Sequence, residues 1–141
     1  MSRLATAVPL TTRIAVHVLC IDPERRVLLD RAKPPREPLW ALPGALIDVG
    51  EDPVVCARRL VSEAGALTAT RAEVIDLESI VEGGLHVLHL VFECGAEPSL
   101  LRAGTQTSSL WWSLPEIVGL NLSARTRKAL ASRWSMIWPD T

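Results

Sequence analysis

The chain has 141 residues, enough for one domain with a sizeable core, and residues 1–141 are expected to form a single domain. Hydrophobic residues make up 48% and charged residues 22%, ordinary for a globular protein, and a formal net charge of −1 removes any general electrostatic reason to bind a nucleic acid polymer or an anionic membrane. Small anionic ligands stay open as partners, because they need local donors and not global charge.

The N-terminus, MSRLATAVPLTTR, lacks the continuous apolar core of a secretory signal, and no stretch reaches the roughly 18 apolar residues of a membrane span. Val8 to Leu10 can extend a strand. From Arg13 to Ile21 the run RIAVHVLCI is rich in branched apolar residues, and Asp22-Pro23-Glu24-Arg25 turns the chain into Arg26-Val27-Leu28-Leu29, so two paired strands are expected. Lys33 to Pro38 carries three prolines that oppose helix and ladder hydrogen bonding, and reads as a stiff loop.

Trp40 to Leu67 reads as a strand, a glycine-bearing loop and a short amphipathic helix. Asp52 followed by Pro53 is a good helix start, since the aspartate accepts from free first-turn amides and proline tolerates the first helical position. The helix is expected from about Pro53 to Ala64, with Gly65 to stop it. A strand over Ala72–Ile80, a turn at Glu82-Gly83-Gly84 and a strand containing His86 and His89 and closing at Glu93 follow. Period-two alternation sets His86 and His89 on opposite faces. Each histidine, His17 included, has a plain hydrogen-bonding role available, and any that faces a pocket is a credible proton carrier.

Gly95 to Ser109 reads as a loop. Trp111 and Trp112 point to different sides if their segment is extended, so one can pack while the other meets a ligand. Ser123 caps a final helix with an apolar stripe of Leu122, Leu130, Trp134 and Ile137, leaving Arg125, Arg127, Lys128 and Arg133 for its wet side. Cys20, Cys56 and Cys94 are widely spaced, odd in number and without a CxxC pair, which suits buried reduced thiols and a cytoplasmic location.

The stretch WALPGALIDVGEDPVVCARRLVSEAGAL resembles the signature of the Nudix hydrolase family: a glycine, five residues, a glutamate, seven residues, then Arg-Glu-apolar-x-Glu-Glu-x-Gly-apolar. Leu42-Pro43-Gly44, Gly50-Glu51 and Arg59 fall where the family has them. Ala45 replaces the opening glycine, and Leu60, Glu63 and Ala64 take the places of the three metal-binding glutamates, with Ala66 at the last glycine. A one-residue deletion before Arg58 gives a second register with Gly65 on the final glycine and Arg59, Ser62 and Glu63 at the carboxylate positions. In both registers Glu63 is the surviving glutamate. The strand-turn-strand opening and the Trp-Ser-Leu-Pro-Glu segment also resemble the family.

The resemblance implies an α/β fold, an α/β/α sandwich with a mixed sheet, and metal-assisted attack of water on a diphosphate-containing nucleoside or related small metabolite. It implies Mg2+ or Mn2+ as cofactor, held by Glu63, the Ala45 backbone and, by looser analogy, Glu93, with Glu51 and Arg59 bracing loop and helix. Trp40, Trp111, Trp112 and His86 are the candidate substrate-binding residues. One helix carboxylate is a poor anchor for an ion that wants near-octahedral oxygen. Two alternatives therefore stand beside hydrolysis. One is a repurposed pocket doing metal-independent acid/base chemistry, such as isomerisation, cyclisation or elimination, with Glu63 made basic by its apolar neighbours Leu60 and Ala64; the other is a domain that binds ligand without turnover. A homodimer is left open.

Overall fold

A computed structural model describes residues 11–32, 39–65, 67–98 and 109–139. The expected strand extension at Val8–Leu10, the Lys33–Pro38 loop and most of the Gly95–Ser109 loop lie outside them. The strands are β1 (Thr11–Ile21), β2 (Val27–Ala32), β3 (Leu39–Ala41), β4 (Gly44–Leu46), β5 (Leu67–Ala69), β6 (Glu73–Glu82), β7 (Leu85–Pro98) and β8 (Ser109–Trp112). The helices are α1 (Pro53–Gly65), α2 (Leu114–Ile117) and α3 (Ala124–Ile137).

The main path of the sheet runs β3-β2-β1-β7-β5, with β4 on β1, β6 on β7 and β8 on β2. Among the described strands β1 and β7 pair in parallel and the other pairs are antiparallel, so the sheet is mixed. Alternation along β1 and β7 then builds two cores. Val16, Val18 and Cys20, with Phe92 and Cys94 across the ladder, bury one face against Cys56, Ala57, Val61 and Ala64 of α1. Leu19 and Val91 bury the other against Ala129, Leu130 and Ile137 of α3. The result is the expected sandwich, with α1 and α3 on opposite faces.

Local chemistry sets the helix starts. Asp52 Oδ1 accepts from the Val54 amide at 2.7 Å, and Ser123 Oγ accepts from the Thr126 amide at 3.3 Å. Three elements differ from the sequence reading. Gly44–Leu46, read as loop, adds to the edge of β1, and β7 continues past Glu93 to Pro98, where β5 pairs with its end. On α3, Arg125 and Arg133 are not on the wet side: each reaches back to a carboxylate of the sheet, Glu78 and Glu93 respectively, both at 2.8 Å.

All three cysteines are buried and free. Burial pushes each thiol up, Cys94 to about 11, which makes them unreactive.

Candidate functional site

The loop into α1 is tightly braced. Gly50 takes a left-handed φ of 84°, which a side chain would oppose, and the Glu51 amide donates to the Asp48 carbonyl at 2.9 Å. Glu51 in turn accepts a two-point grip from Arg59, Nε to Oε2 and Nη2 to Oε1, each 3.2 Å. Arg59 also donates to Glu63 Oε1 at 3.2 Å, one helical turn on. The structure thus brings Glu51, Arg59 and Glu63 into one cluster on α1.

What surrounds Glu63 differs from the expectation. Its side chain is 59% exposed and ion-paired with Arg59, not enclosed between Leu60 and Ala64. Leu60 and Ala64 turn inward and pack against the core under α1. Glu93 is not brought to Glu63 at all. It follows Val91 by two residues and so faces α3, while α1 lies on the Phe92 and Cys94 side; there its two oxygens are held by Arg133 and Arg71. Ala45 is half-buried in β4, opposite Val16. Among the described residues no three His, Cys, Asp or Glu side chains are placed to hold a metal ion. The residues present therefore do not fit the oxygen cage that Mg2+ or Mn2+ needs.

A concavity lies on the α3 face: a cleft of about 380 Å³ bordered by His17, Asp30, Arg31, Gly44, Ser123 and Arg125. Its walls follow from three connections. The β3 backbone is zipped to the segment before α3 by Trp40 N–H to the Asn121 carbonyl, 2.9 Å, and Ser123 N–H to the Trp40 carbonyl, 3.0 Å. Buried Thr126 Oγ1 accepts from the Leu42 amide at 2.9 Å and from Ser123 Oγ at 2.7 Å. Gly44 pairs with His17 across the β1–β4 ladder, and a Cβ there would stand 2.7 Å from His17 Nδ1. The imidazole can sit against the strand only because residue 44 has no side chain.

At the floor, His17 Nε2 and His89 Nδ1 are 3.0 Å apart and the rings are stacked, centroids 5.2 Å apart and planes inclined 22°. One ring donates and the other accepts. Burial pushes the His17 pKa down to about 4, with the positive Arg125 and the His89 ring acting in the same direction and Glu78 opposing them. His89 is lowered for the same first reason, burial. Both rings are neutral at pH 7, and the cleft presents neutral imidazole beside the Arg31 and Arg125 guanidiniums.

None of the proposed substrate-binding residues borders this cleft. Trp40 is buried and packs edge-on against Trp112, centroids 4.9 Å apart, in the α3-side core. Trp111 packs on the α1 side with Arg26 6.0 Å above its ring, so the two tryptophans do point to opposite faces, both towards core. His86 sits on the α1 face beside Ser79, to which it is hydrogen-bonded, while His89 faces α3, as alternation requires. Sequence reasoning did not single out Asp30, Arg31 and Arg125, and gave His17 a proton-carrying role only on the condition that it face a pocket, as it does. The alternation of β1 puts His17 on the Leu19 face, but nothing local announces that the parallel partner strand sets His89 beside it.

A family model described as NUDIX domain matches residues 11–134. A comparison with curated proteins returns no significant match. Solved structures similar to this chain include the ORF135 protein of E. coli, at 15% identity and TM-score 0.67 over 94% of this chain and 96% of that one. A MutT NUDIX hydrolase from Burkholderia pseudomallei matches at 23% identity and TM-score 0.63, over 86% of this chain and 97% of that one. The NUDIX domain of Shewanella oneidensis NrtR, solved with ADP ribose, matches at 17% identity and TM-score 0.68, over 95% and 92%. At such identities these likenesses establish the fold alone. The family model, which spans most of the chain and takes in both the braced loop-helix and the cleft strands, identifies the protein as a member of the NUDIX family.

Proposed function

We propose that the protein is a Nudix-type hydrolase of a small metabolite containing a diphosphate, with the ligand received in the cleft between Gly44 and Arg125. The observation that carries this reading is the cleft itself, open and flanked by Arg31 and Arg125, in a domain whose signature loop and helix are held by the Glu51–Arg59 clamp on the other face of the sheet. Arg31 and Arg125 supply charge for phosphate oxygens, and Arg125, already steadied by Glu78, has little rotamer freedom left to lose on binding. The ADP ribose in the NrtR domain is a ligand of this chemical kind and supports the class. Family hydrolysis generally works with a divalent ion. The side chains here do not make its cage, so the work assigned to this chain is binding and orientation of the anion. The three buried thiols suit a cytoplasmic setting.

A second reading rests on a different observation. The half-buried His17, hydrogen-bonded to His89 behind it, is the proton-handling group of the cleft, the place the sequence reading gave to Glu63. It supports metal-independent acid/base chemistry in the same pocket.

One assay separates these. The protein is incubated with a panel of diphosphate-linked nucleosides, ADP ribose included, with Mg2+, with Mn2+ and in excess chelator. Metal-dependent release of phosphate products that falls in Arg125→Ala supports hydrolysis. Turnover that persists in chelator and is lost in His17→Ala supports the second reading. Ligand-induced stabilisation with no product from any compound removes both and leaves a binding domain.

A further inference from the structure

The far end of the α3 face holds a second concavity, about 320 Å³, that shares no residue with the cleft. It is bordered by Arg25, Arg71, Arg133, Glu73 and Glu93, with Ile21, Met136 and Ile137 as its apolar part. Its centre is Glu93, 4% exposed. Arg133 donates to it through Nε and Nη2, at 2.8 and 3.2 Å, and Arg71 through Nη2 at 2.8 Å. Both carboxylate oxygens are therefore occupied. The carboxylate acts as a peg that fixes two guanidinium planes, while Nη1 of Arg133 and Nε and Nη1 of Arg71 have no hydrogen-bond partner among the described residues.

A third guanidinium is delivered by strained backbone. Arg25 is the one non-glycine among the described residues at positive φ, 62°. The turn holds it there by its amide, which donates to the Asp22 carbonyl at 3.0 Å, and by its carbonyl, which accepts from Trp138 Nε1 at 3.1 Å. Unlike Arg26 beside it, which pairs with Asp22, Arg25 has no carboxylate within ion-pairing distance among the described residues. Glycine would fill this backbone position without strain, yet an arginine stands there facing the concavity. Strain of this sort collects where a side chain has to be aimed.

We propose that this concavity is a binding site for a small organic phosphate monoester, its phosphate gripped by Arg25, Arg71 and Arg133 and its apolar body laid on Ile21, Met136 and Ile137. Three guanidinium forks match the oxygens of one phosphate. The Glu73 carboxylate at the exposed edge lowers the net positive charge, so shape and apolar contact add selectivity over a bare ion. The site is independent of the chemistry in the His17 cleft.

The test is thermal stability and calorimetry on the full chain with phenyl phosphate and with inorganic phosphate, at constant ionic strength. Saturable stabilisation is expected, with phenyl phosphate binding at least about threefold more tightly than inorganic phosphate. Arg25→Gly weakens binding about tenfold or more without lowering the melting temperature of the free protein, because glycine relieves the left-handed backbone as it removes the guanidinium. Arg125→Ala, which alters the other cleft, leaves the affinity unchanged. The proposal is overturned by an absence of saturable stabilisation, by undiminished binding in Arg25→Gly, or by binding that disappears in Arg125→Ala.

Discussion

At the residue scale, position 44 and position 17 determine each other. A methyl group at 44 would meet His17 Nδ1 at 2.7 Å and the Val16 carbonyl at 3.1 Å. Gly44→Ala is expected to cost about 1–3 kcal/mol in urea unfolding and to shrink the cleft, measured as weaker ligand binding. His17 also ties stability to pH. Its pKa is lowered to about 4 in the fold, so the unfolded chain takes up the proton first as pH falls below about 6.5. Stability from this group is thus complete above pH 6.5, declines between 6.5 and 4, and has no further slope below. The expected loss is roughly 2 kcal/mol, allowing for solvent screening. His89 adds to it in the same direction, and Glu78 works against both. Urea midpoints from pH 7 to 4.5 should show the decline, and His17→Gln should flatten it.

At the element scale, α3 is bound to the sheet at both ends by charged pairs that the sequence reading placed in water. Helical periodicity located its apolar stripe correctly. It did not show that Arg125 and Arg133 flank that stripe and reach Glu78 and Glu93, because ion pairing depends on which strand lies underneath. Glu93→Ala leaves Arg133 half-buried without its acceptor. A loss of about 2–3 kcal/mol is expected in chemical denaturation, less than for a wholly buried pair because Arg71 is 51% exposed. Thr126→Val strands the Leu42 amide and should cost about 1–2 kcal/mol, read in the same way. Glu51→Ala has a different signature. The clamp is part-buried, the Glu51 side chain 16% exposed, so a loss of about 1–2 kcal/mol is expected, and turnover or ligand affinity should fall with it as the loop before α1 loses its brace.

At the scale of the whole molecule, the two faces of the sheet divide the chemistry. The signature helix, with Glu51, Arg59 and Glu63, lies on one face; the His17 cleft and the Arg25 concavity lie on the other, closed by opposite ends of α3. That division is why Glu63 and Glu93, both carboxylates in the right parts of the sequence, never meet. Without ligand, millimolar Mg2+ or Mn2+ is expected to leave the melting temperature within about 1 °C of its metal-free value, since a single exposed carboxylate gives little binding energy to couple to folding. A shift of several degrees would point to metal ligands beyond those described.

Sequence by itself determined the order of β1, β2, α1, β6, β7 and α3, the Asp52 and Ser123 caps, and the opposed faces of His86 and His89 and of Trp111 and Trp112. All of these follow from local rules: capping geometry, alternation along a strand and motif spacing. Only the tertiary structure decided that Leu60 and Ala64 pack on the core, that Glu93 is a peg for two arginines, and that His17 and His89, 72 positions apart, meet ring against ring. Those facts depend on the parallel β1–β7 register and on the face to which each helix is returned, and no local pattern in the chain encodes either one.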